Sequence, residues 1–545
     1  MRGLLRLLKG SYSLLLLTIG SSIVTGVFST LIIKQIHASL SGTENFDVSR
    51  FAIVFFSMIG AYMIASLLAS VSIAHINRNM IHRLRLVLSE KVLASSYELV
   101  ENLKSNILPV LTDDLNHIAN LVNRLPSVTT GLATVLGILI YLFWLSPLMG
   151  GLTLGVFLIV YVINYINLKF VGKYARLNRS QSNVIYKLIE GLVYGIANLM
   201  LHKRFQDRYV NKNIEEESEV QMKWYFKEMV FNSFNNRFND VVLMGFLGVI
   251  ILLVYQYEIV TVSFFNTYLT LILFMLGPLS TVSGFFGTIK RIEASLIQIE
   301  KLGIKLNERN KEIYEQPSTE KSIVDQQKKG SAPYLIKFDN IEFTYRNSDE
   351  SFKLSDINLE IKKGARLFIE GGNGSGKSTL IKLMCGLYSP QKGSLLYKGI
   401  EISDSNLTEY RDMFAVVLTD SYLFNDLGHL SDDQLEKATF YLAMMEMDKK
   451  VSIIDKKFTT IELSEGQKKR LQLVYMLLED KEVYIFDEWV AYQDAHSKEL
   501  FYTKVLPHLK EQGKTVINIA HDYSYENLAD QIIRMENGKM IDGKY

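Results

Sequence analysis

At 545 residues the chain is too long for one compact domain, which takes about 150 residues. Its formal net charge of +2 supplies no bulk field for nucleic acid, so no nucleic-acid partner is expected. The single cysteine, Cys385, excludes an intrachain disulfide framework, and its apolar helical setting, "LIKLMCGLYS", marks it for packing rather than for reactivity.

The chain begins with "MRGLLRLLKG", a basic amphipathic stretch suited to the cytoplasmic membrane surface. The apolar run behind it extends to Ile33, longer than the ~7 to 15 residues of a signal-peptide core, and reads as an uncleaved membrane helix. A bilayer crossing needs about 20 mostly apolar residues, and six stretches qualify: 12–33, 51–76, 128–144, 148–166, 241–257 and 264–289. Lysine and arginine gather before the first span (Arg2, Arg6, Lys9) and after the second (Arg78, Arg83, Arg85, Lys91), fourth (Lys169, Lys173, Arg176, Arg179) and sixth (Lys290, Arg291). Basic residues near span ends stay in the cytoplasm, so both termini are expected there. The long connections 77–126 and 167–240 carry apolar residues at helical spacing, as in "HRLRLVLSEKVLASSYELVENL", and predict helices that continue below the membrane. Tyr161, Asn164, Tyr165, Asn266 and Tyr268 are polar or aromatic residues within the spans, and they fit a translocation cavity or an interfacial belt equally.

Residues 301–333, poor in apolar side chains and without a period, read as a linker between a membrane domain at 1–300 and a soluble domain at 334–545. In the latter the apolar strand "ARLFIE" runs into "GGNGSGKSTL", which fits the phosphate-loop pattern from Gly371 to Ser378 with a helix behind it. Its glycines let backbone N–H groups cradle phosphates, Lys377 reaches the β and γ phosphates, and Ser378 is placed to hold Mg2+. A second apolar run, "VYIF", ends at Asp487 and Glu488; beside a phosphate loop, Asp487 fits the acid that supports Mg2+ and Glu488 a general base for the attacking water.

Between these motifs lies "LSEGQKKRLQL", and with it the chain resembles the ATP-binding cassette (ABC) transporters, whose signature is matched by Ser464, Gly466 and Gln467, with Glu465 at the variable position. The resemblance implies an α/β P-loop ATP-binding cassette after an all-α transmembrane domain of six helices, the layout of a half-size exporter. It implies an ATP site from Tyr345, stacked on adenine, with Gly371, Asn373, Gly374, Ser375, Gly376, Lys377, Ser378 and Thr379. Catalysis falls to Glu488 and the switch histidine His521. It also implies a homodimer, because each site borrows the signature of a second copy. Coupling helices are implied near 94–102 and 189–201, and Asp494 takes the role of linking the two sites.

Two departures stand out. Where the family carries a glutamine that senses Mg2+, this chain has Thr419, whose shorter side chain still offers an oxygen as a third metal-site candidate beside Ser378 and Asp487. The catalytic acid is followed by tryptophan, in "DEWVAYQDAH", where the family has proline. With "GQKKRL", these features resemble the exporters of cyclic peptides and siderophore precursors in Gram-negative inner membranes, among them those for lasso-peptide microcins and pyoverdine precursors. The expected function is therefore ATP-driven export of a peptide or peptide-derived siderophore precursor across a bacterial inner membrane, with the bilayer, a peptide-like cargo and a second copy as partners. A flippase for lipids or lipid-linked sugars is the alternative. A regulatory or channel protein without turnover comes third, because Lys377, Glu488 and His521 are all retained.

Overall fold

The computed structural model describes residues 11–40, 47–102, 104–257, 262–301, 332–345, 352–419, 421–519 and 523–541. Three sequence expectations lie outside them: the membrane-surface stretch at the start, nearly all of the linker, and His521. The chain forms two compact units, residues 1–95 with 99–309, and residues 96–98 with 310–545.

Among the described residues the long helices of the first unit are α1 (Tyr12–Leu40), α2 (Val48–Ala94), α3 (Leu115–Leu145), α4 (Pro147–Tyr194), α5 (Glu215–Tyr257) and α6 (Val262–Lys301). Five segments of it, Tyr12–Ile36, Val48–Ala94, Ile107–Leu145, Pro147–Tyr194 and Asn266–Ile297, are long and apolar enough to cross a membrane. The remaining expected span, 241–257, is the C-terminal end of α5, and the side chains of 253–257 are outside the described set. At about 1.5 Å per residue, the 47 residues of α2 and 48 of α4 run to roughly 70 Å, over twice the ~30 Å of a bilayer core. These helices therefore project beyond it, as their charged continuations predicted.

Local chemistry sets the ends. Asp47 caps α2 by accepting from Arg50 N, and α4 starts at Ser146, which caps Met149 N, with Pro147 in the first turn where its missing N–H costs nothing. The short helices Tyr97–Asn102 and Ile196–Leu201 form where α2 and α4 end, at the two places expected to hold coupling helices. Inside the apolar segments, hydroxyls satisfy themselves on their own helix, as Thr25 Oγ1 does on Ser21 O at 2.8 Å and Thr153 Oγ1 on Met149 O at 2.8 Å. Helices are joined by buried polar pairs: Asn164 Nδ2 donates to Asn239 Oδ1 at 2.8 Å and Ser283 Oγ at 3.1 Å, and Thr153 meets Tyr268 Oη at 2.8 Å. At Gly131 an added Cβ would lie 3.1 Å from the carbonyl of Pro278, so the absence of a side chain lets α3 close on the proline of α6. In the charged continuations, Arg179 grips the fully buried Asp114 with two bonds, Nε to Oδ1 at 3.0 Å and Nη2 to Oδ2 at 2.6 Å.

Among the described residues the second unit contains twelve strands: β1 (Ile336–Thr344), β2 (Lys353–Ile361), β3 (Arg366–Gly371), β4 (Lys392–Tyr397), β5 (Ile400–Glu401), β6 (Phe414–Val417), β7 (Ile453–Ile454), β8 (Lys457–Phe458), β9 (Val483–Phe486), β10 (Thr515–Ile519), β11 (Gln531–Glu536) and β12 (Lys539–Ile541). The central sheet has the order β12-β11-β3-β10-β9-β6 and is parallel apart from β12. A second, antiparallel sheet has the order β2-β1-β4-β5. All four residues of β9 and all five of β10 are buried, which is why "VYIF" and "TVINI" read as unbroken apolar runs. Helices α7 (Lys377–Met384) and α8 (Glu465–Leu478) pack their apolar faces on this core. Cys385, just past α7, is buried, and its thiol is pushed up to about 11 by that burial.

Candidate functional site

Parallel strands deliver their following loops to one edge of the sheet, and there the motifs converge. The loop after β3 is Gly371–Lys377, and the loop after β9 begins with Asp487, whose N–H is held by the Val417 carbonyl at the end of β6 at 2.9 Å. The phosphate loop needs its glycines where φ is positive, +77° at Gly374 and +106° at Gly376. Lys377 is buried and its ammonium lies inside the loop, donating to the carbonyls of Gly371 and Gly372 at 2.9 Å each. Burial pulls its pKa down, while the charges of Glu488 and Asp487 pull it up.

Ser378 Oγ donates to Asp487 Oδ1 at 3.1 Å, so the hydroxyl and carboxylate expected to act together do meet. Burial raises the Asp487 pKa, and the Glu488 charge adds to that; hydrogen bonds from Ser378 and from Thr419 oppose it. Glu488 sits in the left-handed region, φ 53° and ψ 26°, and lines a cavity of about 540 Å³ with Tyr345, Phe352 and the loop from Asn373 to Thr379. A glutamate held at positive φ carries backbone strain of about 1–3 kcal/mol, the kind that collects at functional turns. Tyr345 is fixed by a 3.0 Å contact between its hydroxyl and Thr379 Oγ1 and by edge-on packing against Phe343 and Tyr388. The Ser375 hydroxyl is buried with no hydrogen-bond partner among the described residues, an orphan that a phosphate oxygen in the loop would satisfy.

Ser464 and Gln467 form a reciprocal capping box at the start of α8, with Ser464 exposed, and neither they nor Gly466 lie among the residues lining the phosphate-loop cavity. Asp494 caps the helix Ala495–Leu500 by accepting from Ser497 N at 2.7 Å, and burial counts little against the bonds that lower its pKa. Trp489 is fully buried, packed against Phe501 at 5.0 Å between ring centres, and its Nε1 donates to the Lys469 carbonyl at 2.9 Å. The sequence marked Trp489 only as a departure from the family's proline and gave no sign of this bond. Nor did it mark Lys469, although Lys469, Gln472, Leu473 and Met476 share the spacing of a buried helix face.

In the first unit, a cavity of about 370 Å³ is lined by hydroxyls, among them Ser29, Ser66, Ser70, Thr130, Thr134 and Thr281, and no charged residue lines it. Thr134 donates to Thr130 O at 3.0 Å and Thr281 to Gly277 O at 3.1 Å, so these oxygens keep acceptor capacity toward the cavity. None of the five span residues singled out from the sequence lines it; Asn164 and Tyr268 are instead buried between helices.

Apolar helices long enough to cross a membrane, followed by a phosphate loop and paired acids at the edge of a parallel sheet, define a membrane protein that works on a nucleoside triphosphate. Residues 12–282 match the ABC transporter transmembrane region and residues 354–491 the ABC transporter model. The chain is 30% identical to ATP-binding protein SyrD of Pseudomonas syringae pv. syringae over 99% of its own length and 96% of that relative. It is 35% identical to the energy-coupling factor transporter ATP-binding protein EcfA1 of Mycoplasmopsis synoviae over 38% of this chain and 81% of the relative. With the ATP-dependent lipid A-core flippase of Wigglesworthia glossinidia brevipalpis it shares 32% identity over 38% of this chain and 37% of the relative. The chain belongs to the ABC transporter family, as a half-size exporter with a helical membrane domain ahead of its cassette, and it is an ATP-hydrolysing transporter.

Proposed function

We propose that the protein exports a peptide, or a siderophore precursor derived from one, across the bacterial inner membrane as a homodimer with six spans per copy and both termini in the cytoplasm. The observation that carries the cargo class is the cavity of serine and threonine hydroxyls with no charged lining residue. Hydroxyls offer donors and acceptors to amides and alcohols, whereas a phosphorylated lipid headgroup calls for arginine or lysine. Similarity to a lipid A-core flippase covers 38% of the chain and 37% of that relative, too little to carry its cargo over.

In this reading Tyr345 stacks on adenine, Asn373, Gly374, Ser375 and Gly376 present backbone and hydroxyl donors to the phosphates, and Lys377 leaves the loop carbonyls for the β and γ phosphates. The oxygens of Ser378 and Asp487, with Thr419 as a third candidate, would hold Mg2+, which would offset the negative charge of the phosphates. Glu488 accepts the proton of the attacking water and His521 supports the γ-phosphate. Ser464, Gly466 and Gln467 of each copy close over the nucleotide of the other. Cassette closure then turns the cavity outward, and hydrolysis resets it.

The test is ATP hydrolysis by the full chain in lipid nanodiscs, wild type beside Glu488→Gln, with panels of neutral cyclic peptides, siderophore precursors and lipids. Stimulation by a peptide that disappears in Glu488→Gln is expected. Stimulation by a lipid alone would replace export of peptides with lipid flipping.

A further inference from the structure

The two departures from the family pattern, Thr419 and Trp489, lie 70 residues apart in sequence, yet both are tied to one residue of α8. The Lys469 ammonium, 8% exposed, donates to the carbonyls of Leu418 at 3.3 Å and Thr419 at 2.8 Å. The carbonyl of the same Lys469 accepts the Trp489 indole N–H at 2.9 Å. One turn along, Gln472 Nε2 donates to Ser421 O at 2.6 Å, and one turn back the Gly466 carbonyl accepts Gln493 Nε2 at 3.4 Å. Two residues before Thr419, the Val417 carbonyl accepts the N–H of Asp487 at 2.9 Å, and Asp487 precedes Glu488 and Trp489 in the chain. The contacts close into a ring: α8 to Leu418 and Thr419, Val417 of that segment to Asp487, Asp487 through Glu488 to Trp489, and Trp489 back to α8.

We propose that Lys469 and Trp489 are positioning residues that lock the signature helix to the catalytic acid and to the Thr419 segment of the same chain, so that a load on the tip of α8 is felt at Glu488. Three features support this. A lysine ammonium buried on a helix face satisfies itself on two main-chain carbonyls of a different element, which fixes that element without using its side chain. The identity of residue 419 can then drift from glutamine, because it is the carbonyl that α8 holds. And an indole is the one apolar side chain that fills the pocket beside Phe501 while reaching a carbonyl with a donor. Glu488 stands between these anchors at positive φ, a conformation that persists only where its surroundings enforce it.

The inference rests on the proposed role of Glu488 and of the α8 tip. The experiment is ATP hydrolysis by the full chain in nanodiscs for wild type, Lys469→Met, Lys469→Arg, Trp489→Phe, the Lys469→Met/Trp489→Phe double variant and Glu488→Gln. Trp489→Phe keeps an aromatic ring beside Phe501 while deleting the donor and the second ring, so Tm is recorded alongside to separate a packing loss from the loss of the bond. The expected result is a kcat at least tenfold lower in Lys469→Met and Trp489→Phe, with KM for ATP within twofold of wild type. Lys469→Arg, which can still donate to both carbonyls, recovers half or more of the rate. The double variant is no slower than the slower single, because both substitutions open one ring. Wild-type kcat in both singles, losses confined to KM, or multiplicative losses in the double variant would each overturn the lock while leaving Glu488 in place. Full activity in Glu488→Gln would remove the catalytic assignment and the lock with it.

Discussion

Gly376→Ala tests the shape of the phosphate loop without touching a charge. The residue adopts φ +106° immediately before Lys377, and a Cβ there would lie 2.7 Å from Phe352 Cζ and 2.8 Å from Leu354 Cδ2. Left-handed backbone at a residue with a Cβ costs about 1–2 kcal/mol. Pushing aside Phe352, just ahead of β2, and the fully buried Leu354 of β2 adds about 1 kcal/mol. If the loop escapes this cost by leaving its cradle shape, binding of ATP carries the whole of it, and about 2–3 kcal/mol is roughly a 30- to 150-fold weaker Kd. Trinitrophenyl-ATP titration of the full chain in nanodiscs reads the change directly, with Tm recorded alongside. Wild-type affinity in Gly376→Ala would refute the reasoning, because the loop would then hold phosphates without the left-handed turn.

Two further outcomes concern stability. Burial works to raise the Asp530 carboxyl, but bonds from Arg366 and Lys510 outweigh it and hold the pKa down at about 2. A depressed folded pKa stabilises fully above the unfolded value of about 3.9 and is lost as pH falls toward 2, which gives about 1–2 kcal/mol after allowing for partial exposure. Asp530→Asn should therefore lower stability by that amount at pH 7, with the difference from wild type closing below pH 4 in thermal unfolding; a gap that does not change with pH contradicts it. Arg179→Met strands the buried Asp114 carboxylate, at a cost of about 3–5 kcal/mol, while Arg179→Lys restores part of it; equal apparent Tm for wild type and Arg179→Met in nanodiscs contradicts that.

How far the sequence could be read depends on where each signal resides. The phosphate loop was legible because its chemistry demands glycine, lysine and serine at fixed offsets, and β9 because a strand buried on both faces must be apolar throughout. The meeting of Ser378 with Asp487 followed from strand–loop–helix logic. The cavity hydroxyls were not legible: Ser66 and Ser70, or Thr130 and Thr134, stand four apart in apolar helices, and a self-satisfied hydroxyl looks the same whether it faces a cavity or a neighbour. Lys469 was hidden for a related reason. In a run such as "GQKKRL" a lysine reads as solvated, and only the register of α8 turns it inward. Asn164 and Tyr268 fitted a cavity or an interfacial belt equally in the sequence, and the structure spends their polarity on joining helices instead.

The Asn164–Asn239 bond divides α4 unequally. From Pro147 to Asn164 the helix runs about 26 Å, and from Asn164 to Tyr194 about 45 Å, at ~1.5 Å per residue. A rigid rod pinned at that point is a lever with arms near 1:1.7. A swing of 5 Å at the Tyr194 end becomes about 3 Å at the Pro147 end, with force raised in the same proportion. For a helix that swings as a rigid rod about that bond, a displacement at the Tyr194 end is reduced at Pro147 in the ratio of the two arms.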